Sequence, residues 1–238
     1  MRTHETFMGA LFCADERKML FMEKQRRVST KKLVVLALMS ALGFLAMMLM
    51  KIPVVMFLKY EPKDIFIVLT GFLYGPLSAL AVAVVTALLE LPFSDTGLIG
   101  LVMNVLSSAS FACVASFIYH KRRDVFGAAA GLLSGMAAMT VSMLLWNYLI
   151  SPLYMGVTRA EIVPMLTAVF LPFNLLKSGI NASIVMLLYR PFLLVLEQVG
   201  LARASEKSAV KQSTRVWVTV VSAAILIVCI GIVVLLNR

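Results

Sequence analysis

Apolar residues along this chain gather into six long runs, at 33–50, 65–89, 98–119, 125–150, 162–189 and 216–236, with most charged residues collected between them. About 20 helical residues cross the hydrocarbon core of a bilayer, so each run predicts at least one membrane span. The second run carries Gly75-Pro76 near its middle. Proline lacks a backbone donor and clashes with the preceding turn, so this run is either one kinked helix or two short ones. The basic residues decide between the two, because Lys and Arg concentrate in cytoplasmic loops. Splitting the run at Gly75-Pro76 places the N-terminal tail, the cluster His120-Lys121-Arg122-Arg123 and the segment 190–215 on one side. That side then holds sixteen of the 22 Lys and Arg. Seven spans are predicted, over about 33–50, 60–75, 76–92, 97–119, 125–150, 162–190 and 216–236, with the N-terminus inside. Spans two and three are short and are expected to lie within the bundle or to tilt little.

The last span follows a polar linker and is almost pure Val, Ile and Leu, which reads as a peripheral anchor appended to a six-helix core. The expected organisation is a basic cytoplasmic segment at 1–32, a six-helix membrane domain at 33–192, a cytoplasmic linker at 193–215 and an extra transmembrane helix at 216–238.

Composition agrees. At 61% hydrophobic residues and a mean hydropathy of +0.94, the chain is an all-α integral membrane protein and not a soluble domain. The net charge of +10 does not indicate nucleic acid, because its carriers flank the apolar runs. Cys13, Cys113 and Cys229 are scattered and read as small hydrophobes. His4 and His120 stand apart from each other and from any cysteine, so no metal constellation is expected. There is no G-x-x-x-x-G-K-S/T, G-x-S-x-G, H-E-x-x-H or C-x-x-C, so neither a nucleotide motor nor an enzyme is indicated.

The costliest residue is Lys177, roughly a dozen residues from either end of its run. That is about 18 Å of helix on each side, too far for easy snorkelling to water. A charge at that depth needs a partner or a wet cavity. Asn174, Lys177 and Asn181 fall at i, i+3 and i+7, on one helix face. A cation and two amides suit a carbonyl-rich ligand or an anion. The alternative is that Lys177 pairs with Glu90 or another carboxylate to hold the bundle together. Asn147 lies near the outer end of span five, between aromatic residues, and Asn104 lies in span four with Ser107 and Ser108 after it. The segment 51–64 is too apolar for a plain loop and is expected to fold back as a lid. In span one, Ala37 and Ala41 have the small-residue spacing that lets another helix approach closely.

The segments Leu58-Lys59-Tyr60-Glu61-Pro62-Lys63-Asp64, Gly71-Phe72-Leu73-Tyr74-Gly75-Pro76, Asn147-Tyr148 with Pro152-Leu153-Tyr154, and Pro172-Phe173-Asn174-Leu175-Leu176-Lys177 resemble the riboflavin-binding S-components of energy-coupling factor (ECF) transporters. The match runs in order across about residues 33–192. The resemblance implies a six-helix S-component-like bundle, here with one appended C-terminal transmembrane helix, that captures riboflavin from outside at the cell membrane. It implies partnership with a transmembrane T-component and two ABC-type ATPases, which use the ATP, so riboflavin is cargo and no cofactor is expected. It carries the substrate site onto Asn104, Asn147, Asn174 and Lys177, and the T-component contact onto Ala37 and Ala41. Tyr60 and Glu61 are further expected substrate-binding residues, and Tyr154 is expected to line the ligand's apolar face. Met56, Phe57 and Met103 are further expected lining groups. The alternatives are the same architecture for another vitamin or flavin analogue, or a non-catalytic membrane scaffold. The basic tail and the seventh span are additions to the family pattern.

Overall fold

A computed structural model describes residues 30–55, 58–94, 97–198 and 212–236. The chain divides into a unit Met1–Val35, whose described residues begin the first helix, and a unit Leu36–Arg238 that holds the remaining elements. Helix α1 (Thr30–Leu49) leads into a short antiparallel hairpin, β1 (Ile52–Val55) and β2 (Leu58–Tyr60). Helices α2 (Lys63–Tyr74), α3 (Pro76–Glu90), α4 (Gly97–Lys121) and α5 (Val125–Met155) follow. Then come a short α6 (Arg159–Met165), a widened turn Leu166–Phe170 and the long α7 (Leu171–Gln198). The described chain closes with α8 (Gln212–Leu236).

The second apolar run is two helices. Gly75 joins α2 to α3 with φ 94° and ψ 171°, a conformation open to glycine because it has no Cβ. Pro76 then starts α3, where a missing N–H costs nothing. Helix α2 is only 12 residues long and is buried along most of its length, from Lys63 to Phe72. Among the described residues, five other stretches are long and apolar enough to cross a membrane: α1, α3 with its following turn, α4, α5 and the α6–α7 stretch. They present Leu98, Phe117, Leu133, Val141, Leu145 and Val195 at the surface. Such continuous exposed apolar area belongs against lipid.

Helices α4 and α5 approach closely. A Cβ added at Gly131 or Gly135 would stand 2.5 Å from the Ala115 carbonyl oxygen and 2.6 Å from that of Phe111. Asp124 caps α5, its side chain accepting from the Gly127 N–H at 2.6 Å. Far from the hairpin, the bundle closes where the Tyr119 and Tyr189 hydroxyls meet at 2.6 Å, with Phe72 stacked on the Tyr119 ring.

Several helix ends lie beyond the predicted spans. Helix α5 continues through Pro152 to Met155, and α7 runs on to Gln198, so the start of the expected linker is helical. The basic tail 1–29 and most of the linker lie outside the described residues.

Candidate ligand-binding site

A cavity of about 170 Å³ opens at the hairpin end of the bundle. Its walls come from four helices and the hairpin. Helix α4 supplies Met103, Asn104 and Ser107, and α5 supplies Met143 and Asn147. Phe173, Asn174 and Lys177 come from α7, with Phe170 from the widened turn before it. Lys51, Leu58, Lys59 and Glu61 form the roof, and Glu90 from the end of α3 completes the rim. The expected lid over 51–64 is therefore a hairpin whose residues line the space.

Local sequence explains the α7 wall. Pro172 has no N–H and its ring crowds the preceding turn, which widens over Leu166–Phe170. Phe170 has its side chain buried while its carbonyl accepts the Asn174 side-chain amide at 2.7 Å. Ser178 donates back to the Asn174 carbonyl at 2.6 Å. On α5, Asn147 donates to the Met143 carbonyl at 2.8 Å and accepts from Ser151 at 2.8 Å. Both amides are thus held by their own helices. Asn104 is treated differently: its side chain makes no hydrogen bond among the described residues. One turn on, the Ser107 hydroxyl is buried without a partner among the described residues. Buried polar atoms are ordinarily paired, so unmatched donors on a cavity wall mark where a ligand or water bonds.

Charge is balanced around the space. Lys177 lies 3.6 Å from Asp64, a looser contact than a direct hydrogen bond. Asp64 is fully buried and also accepts from Ser108 and from Asn181, the latter at 3.2 Å. Lys63 lies between Glu61, at 2.9 Å, and Glu90, while Lys51 reaches Glu61 at 3.5 Å. Three lysines thus face three carboxylates, which offsets much of the cost of taking them from water.

The fold brings some of the expected residues together and keeps others apart. Asn104, Asn147, Asn174, Lys177 and Glu61 converge on the cavity, as does Met103. Lys177 does have a carboxylate partner, but that partner is Asp64; Glu90 is held by Lys63. Lys63, within the segment expected to fold back as a lid, is buried because α2 starts inside the bundle. Tyr60 does not line the cavity; its hydroxyl donates to Asn181 at 2.8 Å, one layer behind. Asn181 shares that layer and does not reach the wall. Tyr154 lies on the last turn of α5 with its side chain outside the described residues; Met56 and Phe57 lie outside the described residues altogether. Ala37 and Ala41 are both exposed on α1. Sequence reasoning missed Asp64 and Ser107 as parts of the site. Only their closeness in sequence to Lys63 and Asn104 pointed towards them.

A multi-pass helical membrane protein with a cavity of mixed polar and apolar lining at one end is defined by these features. A family model described as the ECF transporter substrate-specific component matches residues 31–189, and the chain belongs to that family. It is 31% identical over 171 residues to the riboflavin transporter FmnP of Bacillus subtilis, covering 66% of this chain and 89% of that protein. It is 29% identical to the riboflavin transporter RibU of Staphylococcus aureus, with 67% and 89% covered. Its fold is similar to a solved structure described as "Structure and mechanism of the S component of a bacterial ECF transporter", with TM-score 0.60, 29% identity, 70% of this chain and 98% of that chain covered. The chain is a substrate-binding transport subunit and not an enzyme.

Proposed function

We propose that this subunit captures riboflavin in the hairpin-end cavity from outside the cell and delivers it with a T-component and two ATPases. The convergence of Asn104, Asn147, Asn174 and Lys177 on one cavity carries the reading. Riboflavin offers two ring carbonyls and an imide N–H at one edge and a hydroxylated chain. Lysine and amide donors suit the carbonyls, and amide oxygens suit the imide and hydroxyls. Met103, Met143, Phe170 and Phe173 give the apolar surface that a ring system needs. The names of the relatives support the choice of ligand. Glu61 takes part through the roof, Tyr60 by holding Asn181, and Tyr154 from the end of α5. The exposed Ala37 and Ala41 are assigned to the T-component contact, where small residues let a helix come close. The cytoplasmic membrane is the proposed location, with the N-terminus inside.

Titration of the purified protein with riboflavin tests this. Quenching of flavin fluorescence is expected for the wild type. Lys177→Ala and Asn174→Ala are each expected to weaken binding by roughly tenfold or more, the loss of a hydrogen bond involving a buried polar group. Undiminished affinity in both variants would remove Lys177 and Asn174 from the site. Parallel titration with flavin mononucleotide separates riboflavin from its phosphorylated form.

A further inference from the structure

Helix α8 lies beyond the segment that matches the family, which ends at residue 189. It nevertheless packs against the cavity's supports. Its inner stripe is Ser222, Leu226, Cys229 and Val233, spaced four, three and four residues apart, the repeat of one helix face. Leu226, Cys229 and Val233 pack on a buried cluster of Val54, Tyr60, Phe173, Leu176 and Ile180. That cluster joins the roof to the binding helix. Val54 and Tyr60 belong to the two hairpin strands, and Phe173 lines the cavity beside Asn174. Among the described residues of α8, Ile225, Ile227, Val228 and Ile232 are exposed, as suits lipid. A helix that served only as an anchor would not need a stripe fitted to the hairpin and α7.

We propose that α8 is a brace that holds the hairpin roof on α7 and so slows ligand release. The proposal rests on the cavity being the flavin site. A two-stranded hairpin is marginal by itself, and this one carries an irregular register between Pro53 and Val55. Its position therefore depends on what packs beneath it. In this proposal release proceeds by lifting of the roof. A brace that opposes lifting acts mainly on the dissociation rate, where most affinity differences between related complexes lie.

The test uses the full chain in lipid nanodiscs with riboflavin, following fluorescence as flavin is bound and displaced. Leu226→Ala with Val233→Ala is expected to speed dissociation roughly three- to tenfold while association changes less than about twofold. Leu226→Met with Val233→Ile is expected to keep the wild-type rate. Ile225→Ala with Val228→Ala, on the exposed face, is expected to do the same. A lock gives the converse: a Cβ at Gly179 would lie 3.6 Å from the Cys229 sulfur. Gly179→Cys, with Cys13 and Cys113 replaced by serine, is expected to crosslink to Cys229 on oxidation and slow release, with reduction restoring it. The brace is overturned if the crosslink does not form. It is also overturned if the crosslink forms without slowing release, or if the alanine pair releases flavin at the wild-type rate. A wild-type protein that does not quench flavin overturns the cavity reading itself. Bound flavin with unchanged release overturns the brace alone.

Discussion

Lys177 meets its cost of burial in two ways, through a carboxylate 3.6 Å away and through a cavity it faces. The two can be separated by substitution. Lys177→Met leaves Asp64 buried without its cation, and removing one partner of a buried pair costs about 3 kcal/mol or more. Thermal unfolding in detergent is expected to show that loss. Adding Asp64→Asn to the same chain is expected to recover most of the stability without recovering flavin binding. Recovery of both would make Lys177 a bundle residue and not a ligand contact. The sequence made half of this pair legible. Lys177 stands out as a charge deep in an apolar run, and the spacing of Asn174 and Asn181 defines its face. Asp64 does not stand out, because it follows a lysine and a proline in a segment that reads as a loop. Only the fold shows it under the hairpin, accepting from Ser108 and Asn181. Ser107 was hidden for a related reason: serine in a membrane helix usually reads as a small packing residue.

At the level of elements, the helices were legible where composition and punctuation agreed. Gly75-Pro76 divides its run because glycine alone tolerates φ 94° comfortably and proline favours a first turn. The hairpin was less legible, since its strands are short and one includes a proline. The α4–α5 contact gives a direct test of close packing. Gly131→Leu would place side-chain carbon against the Ala115 carbonyl and force the helices apart. Overpacking of this kind typically costs about 1–3 kcal/mol, so a lowered unfolding temperature is expected. An unchanged temperature would contradict the close approach. At the start of α5, burial nudges the Asp124 carboxyl upward, but the Gly127 N–H and Arg122 outweigh it and hold it below its ordinary value. A depressed folded value means the contribution is present above the unfolded carboxylate range and is lost as pH falls through the folded value. Asp124→Ala is therefore expected to cost about 1 kcal/mol at neutral pH. The difference from wild type should fade in acid, as unfolding midpoints measured across pH would show.

Across the whole molecule, α4 sets the distance between the cavity and the basic cluster. Gly100, Met103 and Asn104 line the cavity near one end of this 25-residue helix, and Lys121 ends the other. At 1.5 Å per residue the ends are roughly 37 Å apart, about the thickness of a membrane. The two features must therefore face opposite sides of the bilayer. Which side is which follows from charge: 121–123 carries three basic residues in a short turn, and such turns stay cytoplasmic. On that ground we propose that the hairpin, with Lys51 and Lys59, faces outward, where a captured ligand would arrive. Two single cysteines, each placed in a chain whose native cysteines are replaced by serine, test the assignment in intact cells. A membrane-impermeant thiol reagent added outside is expected to label Lys59→Cys and to leave Arg122→Cys unlabelled until the cells are opened. The reverse pattern would turn the cavity towards the cytoplasm. Capture from outside would then be untenable, even with every cavity residue in place, because the orientation rests on the loop charges and not on the cavity's chemistry.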